Sequence, residues 1–461
     1  MSSAQAKRTR PAGARQMERG TAAAASGRPD RRPTSPHVEP RTGQGATAKT
    51  TARSPARPRA ALISSAPVAY HAVWVVTLIL LVLGLCMVLS VSVATAFARA
   101  NGDKFLYVKE QAVTAAIGLV LMFIVSRIDY RKWRRVSILM LGAVVFFLLL
   151  IHVPGVGHSA GGSASWIPIG PYNFQPSEFA KLAVVLAGAY LLSAKRARSG
   201  GFKALMWPFG AVAFGVCGLI VLEPDLGTAL IIAGLAMGLL WLAGMRQWQW
   251  FSLAGVGIFV TGMLTLARVA ALNRVLAFLD PFADPQAKGY QLVQSLLALG
   301  RGGWFGAGPG ASIQKFSYLP KAHTDMIFAI LGEEFGLLGV GFVVLLFGLF
   351  ALAAWRLARK CSDPMGKLLI AGCCMLVTLE AVVNMGGVLG AMPLTGVPLP
   401  FISFGRNNLL VMFVAVGLIL SVGRFASSAP GAALSEEYKN VTDIDRRRRD
   451  SGTRRPRPSH S

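Results

Sequence analysis

The chain has 461 residues, of which 53% are hydrophobic and only 15% charged, with a mean hydropathy of +0.52. A soluble globular protein needs more charge to cover its surface, so the composition reads as that of an integral membrane protein. The formal net charge of +26 invites a nucleic-acid reading, but residues 1–70 hold 13 Lys and Arg against 3 acids and the stretch from Arg424 onward holds 9 against 5, so more than half of the excess lies in two tails. Such tails read as solvated segments beside an anionic membrane face, which argues against nucleic-acid binding as the function.

Residues 1–70 are rich in Ala, Arg, Pro, Ser, Thr and Gly and lack apolar periodicity. They read as a disordered basic tail without a secretory signal, so the first apolar run is expected to be a retained anchor. A membrane span needs about 20 mostly apolar residues. Candidate spans are centred near Leu83, Gly118, Val145, Ala187, Phe214, Gly234, Ile258, Gly339, Leu376 and Val414. The expected fold is therefore an all-α membrane domain of about ten helices over residues 71–425, with basic tails at 1–70 and 426–461.

Basic runs follow the second, fourth and eighth spans: Arg131 to Arg135, Ala194 to Lys203, and Arg356 to Lys360. Positive charge marks the cytoplasmic side, so both termini are expected there. The long polar segment 270–324, between spans seven and eight, is then expected outside, together with 153–176 and 389–405. No internal repeat or second soluble domain is evident. Cys86, Cys217, Cys361, Cys373 and Cys374 show no metal-ligand spacing and read as small hydrophobes.

The chemistry-bearing residues lie on the segments expected outside. Glu178 and Lys181 share a helix face at the start of span four, as a functional pair or a structural ion pair. Glu223 and Asp225 follow span five. Arg274, Lys288, Arg301, Lys315 and Lys321 are strung along segment 270–324. Asp325 stands at the start of span eight, either as a reactive carboxylate or as a helix cap with Thr324. Glu333 and Glu334 follow inside apolar sequence, where an ionisable group is costly unless paired or hydrated. Three prolines and two glycines precede Ser403 after span nine, and His323 reads as a loop hydrogen-bonder.

Five stretches occur in order: QPSEFAK (Gln175 to Lys181), EPDLGTAL (Glu223 to Leu230), GYQLVQSLLALGRGG (Gly289 to Gly303), YLPKAHTDMIFAILGEE (Tyr318 to Glu334) and GVPLPFISFG (Gly396 to Gly405). On these motifs residues 72–425 resemble the SEDS family (shape, elongation, division and sporulation). The run QKFSYLPKAHTD is closer to its FtsW-like division branch than to its RodA-like elongation branch. Lys321, Met326 and Arg406-Asn407-Asn408 depart from the usual pattern. The resemblance implies a peptidoglycan glycosyltransferase of the bacterial cytoplasmic membrane at the division septum. Its substrates would be lipid II and the glycan carried on undecaprenyl pyrophosphate, with Asp325 as the essential aspartate.

The bottom-up chemistry agrees. An acceptor hydroxyl attacking an anomeric carbon needs a base, and burial makes an Asp a better one. The departing pyrophosphate needs positive charge, which the five cations could supply. Glu178, Lys181, Glu223, Glu333 and Ser403 complete the substrate-binding candidates. No metal site is readable, although a divalent cation such as Mg or Mn could share the task on Asp325, Glu178 or Glu223. The resemblance also implies other division proteins and a class B penicillin-binding protein as partners. The latter would supply crosslinking, because no Ser-x-x-Lys acyl-transfer site is placed here. A lipid II flippase and a non-catalytic scaffold are the alternatives.

Overall fold

The computed structural model describes residues 68–98, 104–153, 158–160, 163–170, 172–194, 201–223, 225–316 and 318–426. The basic tails expected at 1–70 and 426–461 lie almost wholly outside these residues. Among these described residues twelve helices follow in order: α1 Val68–Ala98, α2 Leu106–Arg127, α3 Trp133–Leu150, α4 Pro176–Ser193, α5 Gly201–Leu222 with a π-helical turn at Met206–Gly210, and α6 Leu226–Leu242. After them come α7 Gln247–Leu266, α8 Val269–Leu279, α9 Tyr290–Gly302, α10 Ile327–Lys360, α11 Pro364–Val388 and α12 Arg406–Ala426. All ten centres named from the sequence fall inside helices. Eight of those helices are long and apolar enough to cross a bilayer. Of the other two, α6 has 17 residues, and α4 has 18 but begins with Glu178 and Lys181.

Helix ends follow local chemistry. Pro176 and Pro364 open α4 and α11, where a missing N–H costs nothing. Asp225 and Asp363 cap α6 and α11, accepting from Thr228 N at 3.0 Å and Gly366 N at 3.1 Å. Segment 153–176, expected outside from the sequence, holds a small antiparallel sheet of β1 His158–Ala160, β2 Ser163–Ile169 and β3 Tyr172–Phe174. Ile167 faces Phe174 and Ile169 faces Tyr172 across a turn at Gly170, whose φ is +58°.

The centre of the domain is α4, α11 and α12, with α2 lying along α12 and α10 against α1, α9 and α11. Lipid tails are as apolar as leucine, so close packing at small residues drives helix association. At Gly417 of α12 a side chain would crowd the Met122 carbonyl and Val125 of α2. By contrast, α7 buries none of its residues and sits at the periphery.

One break matters for the site. Gly336 interrupts α10 at φ 65°, ψ −163°, freeing backbone groups that no bilayer could satisfy. Segment 303–308 satisfies them: Leu337 N donates to Gly303 O (2.9 Å) and Leu338 N to Trp304 O (3.2 Å), while Ala307 N and Gly308 N donate to the Glu333 and Glu334 carbonyls (2.9 and 3.1 Å). A side chain at Gly336 would collide with the backbone of Trp304 and Gly306.

Candidate active site

Asp325 stands two residues before α10, but it does not cap it. The N-cap residue is Met326, without any side-chain capping bond. The Asp325 carboxylate is instead buried at a small, narrow cleft lined by Asp325, Met326, Val383, Asn384, Gly387, Val388 and Leu394 to Val397. Gly396 closely faces its Oδ2. Lys321 Nζ stands 3.8 Å from the same oxygen, and the Arg274 guanidinium acts on it from α8. Burial pushes the Asp325 carboxyl up to about 6, while Lys321, Arg274 and Thr324 hold it down.

The turn before Asp325 is fixed from several sides. Lys321 takes a left-handed φ of 55°, and its carbonyl accepts from Thr324 N and Met326 N. His323 accepts from Phe404 N at 2.9 Å through its carbonyl, and its ring stacks on Tyr107 of α2 at 4.7 Å. Asn384 of α11 donates from Nδ2 to the Asp325 carbonyl and to the Val397 carbonyl, each at 2.8 Å.

The other sequence candidates fall into separate groups. Lys181 is fully buried and pairs with Glu178 at 2.7 Å and with Glu380 of α11 at 2.5 Å. Asn408 of α12 bonds both carboxylates, at 3.0 and 2.6 Å. Glu178 and Lys181 therefore do pair, but inside the three central helices. Glu380, Asn384 and Asn408 were missed by the sequence reading. Glu380 and Asn384 are four apart on one face of an apolar helix, and that pattern was the available signal.

Glu333 and Glu334 receive the long segment. Glu333 accepts from Ser312 Oγ (2.5 Å), Ile313 N (2.9 Å), Gln314 N (3.3 Å) and Arg301 Nη1 (3.3 Å). Glu334 accepts from Ser90 Oγ of α1 (2.7 Å) and Lys315 Nζ (2.9 Å). Lys315 and Arg301 are thus engaged with carboxylates rather than placed beside Asp325. Residues 312–315 form a Ser-x-x-Lys pattern, but not one arranged for acyl transfer. Ser312 and Lys315 are buried and bound to Glu333 and Glu334, so the pattern serves anchoring.

Lys288 is exposed on the turn before α9. Ser403 Oγ accepts from Leu399 N at 2.8 Å within its own turn. Glu223 is buried in the α5–α6 turn with no hydrogen bond to either oxygen among the described residues, and burial together with Asp225 pushes it up to about 8. Among the described residues no three His, Cys, Asp or Glu side chains gather as a ligand set, so Asp325, Glu178 and Glu223 do not converge on one cation.

The FtsW/RodA/SpoVE family model, described as "Cell cycle protein", matches residues 70–428. The chain belongs to this family, the SEDS family. It is similar to "Stage V sporulation protein E" of Bacillus subtilis, 38% identical over 76% of this chain and 96% of that protein. It is 41% identical to "Probable peptidoglycan glycosyltransferase FtsW" of Thioalkalivibrio sulfidiphilus, over 75% of this chain and 87% of that one. Among solved structures, a chain of a peptidoglycan synthase complex that coordinates polymerization and crosslinking superposes with a TM-score of 0.61 at 27% identity, covering 77% of this chain and 98% of that chain. Thermus thermophilus RodA gives 0.56 at 27% identity over 77% and 96%. This SEDS chain is accordingly a multi-pass membrane protein.

Proposed function

We propose that this SEDS protein is a peptidoglycan glycosyltransferase that polymerises lipid II at the outer face of the cytoplasmic membrane during septal wall synthesis. The observation that carries this is Asp325, a buried carboxylate not consumed by capping, at a cleft and beside Lys321 and Arg274. Relatives named FtsW favour the division role over a RodA-like role in elongation.

The reaction assigns each group a task. The 4-hydroxyl of the incoming N-acetylglucosamine attacks the anomeric carbon of the growing glycan with inversion. The bond to undecaprenyl pyrophosphate breaks, and the hydroxyl proton passes to Asp325. Lys321 and Arg274, with Lys288 on the exposed turn before α9, offset the negative charge growing on the pyrophosphate. A flippase would need a polar route through the domain, whereas Glu178, Lys181, Glu380 and Asn408 saturate one another in its centre.

The positive-inside arrangement supports cytoplasmic termini and an external segment 270–324. A class B penicillin-binding protein is the partner that crosslinks the product, a reading supported by the synthase complex among the similar structures. The test is a labelled lipid II assay on the purified full chain with that partner. Asp325→Asn should lower turnover by roughly 10²-fold or more while lipid II binding persists. Near-normal polymerisation by a folded Asp325→Asn protein would remove the general-base assignment.

A further inference from the structure

Asn384 lies on α11, 4% exposed, and lines the same cleft as Asp325. Its two hydrogen bonds fix which way the amide points. Both partners, the carbonyl oxygens of Asp325 and Val397, are acceptors, so only the NH2 group can face them. The Oδ1 atom is thereby turned away from both, and it is buried with no hydrogen-bond partner among the described residues. A buried acceptor left unpaired is costly, and such atoms in native proteins call for an explanation.

The cleft that Asn384 lines offers one. Its other polar side chains are the Asp325 carboxylate, a second acceptor, and Thr395, whose hydroxyl can donate or accept, and most of the remaining lining is apolar: Met326, Val383, Val388, Leu394 and Val397. A ligand satisfying the Asn384 and Asp325 oxygens must bring donors, such as hydroxyl or amide N–H groups. An N-acetylated sugar carries both kinds next to its reacting hydroxyl.

We infer that Asn384 Oδ1 accepts a hydrogen bond from a hydroxyl or acetamido N–H of the incoming sugar, other than the attacking hydroxyl, while Asn384 Nδ2 holds the Asp325 and Val397 backbone in place. Asn384 is then a specificity-determining residue that aligns the acceptor sugar on Asp325. The inference rests on the glycosyl-transfer reading above and adds to it a contact that selects among sugars. A site built to bond a particular polar group rejects analogues lacking it far more strongly than an apolar wall rejects a change of size.

The experiment uses the purified full chain with its partner and a series of lipid II analogues. In each, one donor on the N-acetylglucosamine is removed: the 3-hydroxyl, the 6-hydroxyl, or the acetamido N–H replaced by an ester oxygen. With the wild type, one analogue should lose about tenfold or more in kcat/KM. Asn384→Ala should lose a similar factor on ordinary lipid II and be indifferent to that same deletion. Thermal melting checks folding, and Asn384→Ser, which keeps a hydroxyl to donate to one of the two carbonyls, replaces the alanine variant if the latter does not fold. The inference is overturned if no deletion moves the wild type more than about twofold, or if the variant loses as much as the wild type on every analogue. It is also overturned if added Mg2+ restores the variant, which would make Asn384 a cation ligand. Wild-type protein that makes no glycan from unmodified lipid II would instead sink the glycosyl-transfer reading itself, a result distinct from all of these.

Discussion

At Asp325 burial and positive charge pull a carboxyl in opposite directions, and the balance sets the pH at which it can accept a proton. Burial raises its pKa to about 6, and Lys321 is the largest opposing influence. As a base it acts only when ionised, so kcat/KM should fall as pH drops through about 6. Replacing Lys321 by Ala removes an influence that lowers the pKa, which must then rise. The acid limb of the kcat/KM profile should move to higher pH, and an unmoved limb would show that Lys321 does not act on Asp325. At this scale the sequence was partly legible. Asp325 stood out because a carboxylate at a span boundary is expensive, and its motif named it. Asn384 and Glu380 did not, because their partners come from helices far away in the chain, and only packing brings Asp325, Val397, Lys181 and Asn408 to them.

Among the elements, α10 binds the long polar segment on its two adjacent carboxylates. Glu334 and Lys315 are both nearly fully buried, with Ser90 of α1 completing the contact. Breaking such a pair leaves an uncompensated buried charge. Glu334→Gln should therefore destabilise the protein by about 3–5 kcal/mol, while the double change Glu334→Met with Lys315→Met should recover much of that loss. Thermal melting in detergent measures both, and a single variant as stable as wild type would assign the pair a role in binding rather than anchoring. Helix existence was readable from hydropathy, which depends only on local composition. The break at Gly336 and the sheet at 158–174 were not. A glycine inside an apolar run looks like any other until the segment that must pair with the exposed backbone is known.

For the whole molecule, the distribution of Lys and Arg predicts which face each segment meets. A single cysteine at Gln286, an exposed position on segment 270–324, introduced into a chain whose native cysteines are replaced, should react with a membrane-impermeant maleimide in intact cells. Reaction only after permeabilisation would invert the topology and separate the cleft from an external substrate. The native cysteines need replacing because all five are free and Cys86 is exposed on α1.

The splice at Gly336 also bears on biogenesis. Segment 303–308 leaves the ribosome roughly thirty residues before the break it seals, so its carbonyls and amides are already synthesised when Leu337 and Leu338 emerge. The first turns of α10, up to Gly336, cannot rest stably in lipid until that segment folds back onto them, because their freed backbone groups have no other partner there. Membrane insertion of this stretch must therefore proceed as a folded-back unit rather than as an independent helix. An insertion machinery presented with α10 alone, without residues 303–308, should integrate it less completely than the same helix carrying its preceding segment.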